Sequence, residues 1–528
     1  MSIISLKFLL FVAIVSFSYF VAPKKVKWCI LLLASYIYYF ISSKELTLYL
    51  IITTLSVYIS ALTMQKIDSK TKLKSEGKEK SKKKLLKQKA KKYKKLVILV
   101  AVLINFGILA ALKYCNFISE NINKILNLVN INYQMPLKDI LLPLGISYYT
   151  LQSISYVVDV FRGKYKAEKN LGKLALFLSF FPQMLQGPIG NYGELAHQLY
   201  EPHKFEYTRV KFGIQLMLWG FFKKMVIADR AALYVNEVFS NYSEYSGIII
   251  VMGAILYTLQ IYADFSGCID IVRGTAQILG INMAENFKRP FFSKDIQEFW
   301  RRWHITLGAW LREYIFYPIS FSKVCANLTV KAKKIFKGHI GKLIPAAFAL
   351  FFVWFMNGIW HGASWKYILY GLYYYILTMI GMLLEPITEK VIKKLKINTK
   401  AFSYRLWQMI RTTMLVIIGM LIFRAARLKV AWAMFKSIFT LSNMEKLFNG
   451  ELFKIGFKSS DFIVLIIGFL IMFVVSLLQE KGYKLRERIA NQNLMFRWIL
   501  YYGIIFAIII FGIYGEGYDA SSFIYGQF

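Results

Sequence analysis

The sequence predicts an all-α polytopic membrane protein, and three observations carry that prediction. Apolar runs near the length a bilayer requires recur from end to end of the 528 residues. Hydrophobic residues make up 57% of the chain and charged residues 18%, with a mean hydropathy of +0.46. The positive excess, a net charge of +38, gathers between the runs. A soluble protein of this size would expose too many such runs to water. A bilayer solvates them, and helices satisfy their own backbone hydrogen bonds there.

Residues 3–22 form the first run. They lack a small-residue cleavage signature, and Lys24, Lys25 and Lys27 follow them. A cleaved signal carries its charge before the run, so this is read as a retained helix with its N-terminus outside. Spans at 27–43 and 45–64 then bring the chain to the cytoplasm at residues 66–95. There fifteen lysines stand against Asp68, Glu76 and Glu79, +12 of the +38. This is the pattern of positive-inside loops, and it argues against nucleic acid as the reason for the charge. The stretch is expected to be a solvated, largely helical cytoplasmic loop, able to meet anionic membrane lipids or an acidic or phosphorylated partner.

Further spans are expected near 96–114, 139–160, 171–187, 210–228, 246–263, 343–360, 365–384, 408–424, 461–479 and 497–514. Residues 117–132 read as an amphipathic surface helix, and 428–460 as a second extramembrane excursion. The whole chain, 1–528, is expected to be one membrane domain. Its core region is 139–370, and further transmembrane helices fill 371–528.

The core region is apolar but interrupted. PLGISYYTLQ (143–152) and FFPQMLQGPIG (180–190) put Pro and Gly at membrane depth, and YADFSGCIDI (262–271) places Asp264 and Asp270 beside apolar runs. Broken helices and carboxylates persist there only where protein or a water-filled cavity surrounds them. A site is therefore expected centrally.

The densest segment is DIQEFWRRWHITLGAWLREYIFYP (295–318). As one helix it would carry Trp300, Trp303, Leu307, Trp310 and Tyr314 on one face. Arg301, His304, Gly308 and Arg312 would line the other, an arrangement suited to a phosphate or carboxylate. The plainer alternative is an interfacial helix with its arginines on lipid headgroups. In FFVWFMNGIWHGASW (351–365), His361 ends or interrupts an apolar run. Asn357 and Gly358 share its helical face, so Asn357 could orient the imidazole and Gly358 could admit a second backbone. An intramembrane histidine is a candidate base near neutral pH, the alternative being a core histidine that bridges two helices. The four cysteines form no CxxC pair and the five histidines no HxxxH spacing, so neither a disulfide framework nor a metal site is expected.

These blocks resemble the membrane-bound O-acyltransferase family, and within it the alginate O-acetylation branch. PLGISYYTLQSISYVVDVFRG (143–163), FFPQMLQGPI (180–189), ADFSGCIDI (263–271), ENFKRPF (285–291), FWRRWHITLGAWLREYIFYP (299–318) and GIWHGASW (358–365) follow in the branch's order. FRAARLKVAWAMFKSIF (423–439) and the ending FIYGQF are similar to its later blocks. The resemblance implies a ring of transmembrane helices around a funnel-shaped core with re-entrant or broken helices, in a bacterial cytoplasmic membrane. It implies His361 as the catalytic histidine and His304 as a second histidine near the same tunnel. Asn357 and Asp264 would support them, and Arg301, Arg302 and Arg312 would contact donor phosphates. Acetyl-CoA is the implied donor, with no metal, and a separate extracytoplasmic acetyltransferase would complete transfer to a polysaccharide.

The Lys-, Ile-, Tyr- and Asn-rich composition favours peptidoglycan, a secondary wall polymer or an exopolysaccharide over alginate as acceptor. Transfer of D-alanine to teichoic acid is the second reading, but proteins of that type end soon after the block resembling GIWHGASW, and this chain continues. A glycan or lipid transporter is the third, supported by the broken helices and Asp264 but not by any internal repeat. The orientation is directly testable. In a cysteine-free background, Ser81→Cys should react with a membrane-impermeant maleimide in inverted vesicles and not in intact cells; the opposite pattern would reverse the topology.

Overall fold

Long apolar runs fold here as helices, the form that leaves no backbone group for lipid to satisfy. The structure, a computed structural model, describes residues 1–440 and 444–514; the ending FIYGQF lies outside the described residues. Among the described residues, eight helical segments are long and apolar enough to cross a membrane. The molecule is a multi-pass membrane protein. By contact it gathers into two compact units, Met1–Ile214 with Val272–Ala284, and Gln215–Ile271 with Glu285–Phe528.

The first unit starts with α1 (Leu6–Val21), whose N-terminus is capped by the Ser5 hydroxyl accepting from the Phe8 amide. Next come α2 (Lys27–Ser43), α3 (Thr47–Ser75) and α4 (Lys80–Lys113). The basic stretch 66–95 is the tip of a helical hairpin formed by α3 and α4. Lys, Leu, Gln and Ala are strong helix formers, and the turn falls at Gly77, which takes φ +73°. Across the hairpin Lys94 pairs with Asp68 at 2.7 Å. The expected amphipathic helix follows as α5 (Cys115–Leu128).

Three expected spans are not single continuous α-helices. The span expected at 139–160 becomes α6 (Ile146–Arg162), preceded by irregular chain. Pro143 and Gly145 stop any earlier start: Gly145 takes φ +68°, and a Cβ there would lie 2.4 Å from the Met184 carbonyl oxygen. The span expected at 171–187 is two short helices, α7 (Leu171–Ser179) and α8 (Phe181–Gln186). Buried amides satisfy the interrupted backbone. Gln152 Nε2 donates to the Phe177 carbonyl at 2.6 Å, and Gln183 Nε2 donates to the Pro188 carbonyl and to Gln152 Oε1, both at 2.8 Å. The Ser35 hydroxyl accepts from the Phe181 amide at 3.1 Å. Helix α9 (Tyr192–Tyr200) leads to α10 (Tyr207–Phe221).

Residues 210–228, the third discontinuity, join α10 to a π-helical stretch, Phe222–Ala228, that runs into α11 (Asp229–Ser240). Then comes the 31-residue α12 (Ile248–Ile278). In the second unit, α10 and α12 touch through glycines: a Cβ on Gly220 would lie 2.5 Å from the Gly267 carbonyl oxygen. The unit continues with α13 (Ile296–Arg302), α14 (Ile305–Leu311), α15 (Tyr317–Ser320), α16 (Lys323–Ile335), α17 (His339–His361), α18 (Trp365–Lys394) and α19 (Phe402–Arg424). The excursion after residue 427 holds α20 (Leu428–Ile438), and α21 (Ser459–Glu480), α22 (Leu485–Ala490) and α23 (Leu494–Phe511) close the described chain. The core of this unit is strongly aromatic, with Tyr257, Phe299, Trp303, Trp354, Tyr374 and Phe423 buried together.

Candidate active site

The segment 295–318 is not one helix. It breaks at Trp303–His304, where His304 adopts a left-handed backbone at φ +45°. For a residue with a Cβ that conformation costs on the order of 1–2 kcal/mol, so the surroundings must impose it. They do so through ENFKRPF. Phe287 and Trp303 form an isolated antiparallel bridge. The Lys288 amide donates to the Arg302 carbonyl at 2.9 Å, and the Ile305 amide to the Asn286 carbonyl at 3.1 Å. Asn286 Oδ1 accepts from the Thr306 amide at 3.0 Å and from its hydroxyl at 2.9 Å. Asn286 therefore does from outside what a capping side chain does at a helix start.

This break corrects the arrangement expected of a continuous helix. The aromatic side holds, since Trp303, Leu307 and Trp310 are buried and Tyr314 packs on Trp310 at 5.2 Å. The basic side does not. His304 turns inward to 2% exposure, while Arg301 and Arg312 are exposed. Arg302 forms ion pairs with Glu298 at 2.7 Å and Glu480 at 3.0 Å. A π-helical stretch, Arg312–Phe316, further shifts the register beyond α14.

His361 is the last residue of α17. A close crossing sets its position. A Cβ on Gly371 of α18 would lie 2.2 Å from the Trp354 carbonyl oxygen, and one on Gly358 would lie 2.5 Å from that of Tyr367. The close backbone approach expected at Gly358 is thus present. Asn357, one turn before His361, is buried with it.

Both histidines sit in aromatic surroundings and share a neighbour. The His304 ring meets Phe265 edge-on at 4.9 Å and Trp360 at 5.6 Å. The His361 ring meets Trp360 at 5.0 Å, Phe423 at 5.2 Å and Tyr370 at 5.7 Å. Phe423 opens the later block FRAARLKVAW, so that block walls His361. Burial pushes the His304 imidazole down to about 3, which keeps it neutral and able to donate from one nitrogen and accept at the other.

Asp264 lies one residue from Phe265 and pairs with Lys224 at 2.6 Å. Lys224 also meets Asp229 at 2.7 Å. Beside them Lys223 pairs with Asp270 at 2.7 Å and donates to the Ser266 hydroxyl at 2.9 Å. Sequence reasoning singled out the two aspartates but missed the lysines, Asn286 and Glu480. For the lysines the signal was present: two adjacent cations inside an expected span must find carboxylates. Asn286 and Glu480 had no comparable signal, because their partners are remote in sequence.

The fold and the site define a multi-pass helical membrane protein with two buried histidines packed on one indole. Residues 36–330 match the membrane-bound O-acyltransferase family, and the chain belongs to it. His304 falls inside the matched residues and His361 beyond them. The chain is 34% identical over 350 residues to a probable alginate O-acetylase of Pseudomonas syringae pv. tomato, covering 66% of this chain and 61% of that protein. It is 30% identical over 324 residues to a peptidoglycan O-acetyltransferase of Helicobacter pylori, covering 56% and 57%. Against a teichoic acid D-alanyltransferase of Bacillus subtilis it is 32% identical over 238 residues, covering 44% and 57%. The matches thus span less than two thirds of the length of each of these relatives.

Three substitutions test the scaffold. Gly371→Leu should destabilise by roughly 1–3 kcal/mol or more through overpacking. Gly381→Leu on the same helix, where a Cβ meets nothing within 4 Å, should leave the thermal unfolding midpoint in detergent nearly unchanged. Asn286→Ala should cost about 1–3 kcal/mol by removing the acceptor that Asn286 Oδ1 offers the Thr306 amide and hydroxyl, read in the same assay; a midpoint equal to wild type would remove Asn286 as the clamp.

Proposed function

We propose that this protein moves an acetyl group from a cytoplasmic thioester donor across the membrane, for O-acetylation of a cell-surface or extracellular polysaccharide. The observation that carries this reading is the buried aromatic cluster in which His304 and His361 share Trp360, in a chain of the O-acyltransferase family. Relatives named as an alginate O-acetylase and a peptidoglycan O-acetyltransferase support acetyl as the group moved.

In this mechanism His361 takes the proton of an acceptor hydroxyl as its oxygen attacks the thioester carbonyl carbon. The new C–O bond replaces the C–S bond, and the imidazolium returns its proton to the departing sulfur. Thioester and alcohol thus become ester and thiol, with no change in net charge. Asn357 orients the His361 imidazole from one turn away. His304, held neutral, offers an N–H to the carbonyl oxygen as negative charge develops there. Acetyl-CoA is the donor this chemistry suits. Its phosphates go to Arg301 and Arg312, which are exposed, rather than to Arg302, which is engaged by two carboxylates. The Lys224–Asp264 pair fixes α12 behind Phe265 and acts on His304 by position. A ring of helices around a funnel-shaped core would bring donor and acceptor to the pocket from opposite sides. Where an extracytoplasmic transferase completes the relay, its nucleophile attacks the ester carbonyl carbon, takes the acetyl group for the polymer and frees the first hydroxyl.

The test is a gene deletion restored with wild type or with His361→Ala, reading alkali-released acetate and D-alanine from washed cell envelopes. Acetate should fall on deletion and return only with wild type. A fall in D-alanine instead would replace this reading with teichoic acid D-alanylation, the activity in the name of the B. subtilis relative. Full restoration by His361→Ala would overturn the catalytic assignment and favour transport.

A further inference from the structure

A slot opens in the second unit among α10, α21, α22 and α23, with a volume of about 360 Å³. Its deeper walls are apolar, built from Trp219, Phe222, Ile471, Ile504 and Ala507. Its polar groups gather at the other end. Gln479 stands near the C-terminus of α21, eight residues beyond Ile471, about 12 Å along the helix. Gln215 and Tyr501 are joined there by a 2.6 Å hydrogen bond, and Arg486 of α22 completes that end. Water would find too few partners in the apolar depth to be held.

The walls belong to helices made for hydrocarbon. The most apolar windows of α21 and α23 have hydropathies of 2.9 and 2.1, and only 17% and 0% of their residues are buried within the protein. A slot between two such faces is filled by a hydrocarbon chain rather than by solvent. The polar end carries positive charge. Arg486 lines it, and the sequence around Arg486 is basic, with Lys481, Lys484 and Arg488 against Glu480 and Glu487. A basic pocket between membrane helices is matched by an anionic lipid headgroup.

We propose that this slot binds one anionic phospholipid, with an acyl chain against Trp219 and Phe222 and its phosphate at Arg486. The site is separate from the histidine pocket and does not rest on the acyl-transfer reading. It has a structural consequence for that pocket all the same. Phe222 directly precedes Lys223 and Lys224, and Trp219 lies one turn before them; the two ammonium groups hold Asp270 and Asp264. A chain packed on those two rings braces the π-helical stretch that aims both lysines at α12.

The experiment uses the purified full-length protein in neutral detergent, with phosphatidylglycerol, phosphatidylcholine or inorganic phosphate added. Native mass spectrometry reads bound lipid, and thermal unfolding reads its effect. Phosphatidylglycerol should bind one copy per chain and raise the unfolding midpoint, while phosphatidylcholine and phosphate should not. Arg486→Gln should weaken that binding about tenfold, the loss of one charge-assisted contact. Gly503→Leu offers a second variant. Gly503 lines the slot, and a Cβ there meets nothing within 4 Å, so the larger side chain fills the slot without disturbing the fold. It should abolish the phosphatidylglycerol increment while leaving the lipid-free midpoint in place. An increment that survives Gly503→Leu, an equal effect of phosphatidylcholine, or a shift with phosphate alone would each overturn the proposal.

Discussion

Wherever this chain departs from unbroken apolar helix, it must supply its own partners for the polar groups it hides from water. Lipid offers none, and an unmet amide or carboxylate there costs several kcal/mol. Each irregular feature of the structure is a local answer to that requirement. Gln152 and Gln183 serve the backbone between α7 and α8. Asn286 serves the start of α14. Lys224 sits between Asp229 and Asp264. These answers also fix geometry, because a buried hydrogen bond tolerates little displacement. The parts of the chain that are hardest to bury are therefore also the most firmly placed.

That logic explains why the histidines lie where they do. His304 is forced inward by a backbone conformation that only the bridge to Phe287 and the Asn286 clamp make affordable. His361 is delivered by a helix end that can approach α18 only because Gly358 and Gly371 carry no side chain at the crossing. Neither position follows from the histidine itself. Both follow from small or amide residues elsewhere, Asn286 before His304, Gly358 on the same helix as His361 and Gly371 on the next helix.

Much of this was legible in advance, and the reasons are uneven. The spans at 27–43 and 365–384 were readable because continuous hydrophobicity of bilayer length has few other meanings. The breaks near Pro143 and Pro182 were readable as interruptions, yet the lengths of the helices beside them were not, since hydropathy does not register a change of direction. The arginines of 295–318 were misplaced because helical periodicity was extended through His304, and nothing in that residue's type announces a left-handed backbone. Arg302 found Glu480 across 178 positions, a pairing that local spacing cannot reveal. His361 and Gly358 were singled out because a histidine and a small residue stand out against an otherwise apolar run.

The shared contact of both imidazoles with Trp360 has a consequence for how such a pocket can change. Two histidines with separate walls could be altered one at a time, each change judged on its own. Here one indole borders both, so a substitution at Trp360 alters the surroundings of both imidazoles at once, and a change at either histidine is felt by the other through the same ring. Neighbours that share a partner behave non-additively. Change is then steered toward the outer rings, Phe265 beside His304 and Phe423 with Tyr370 beside His361.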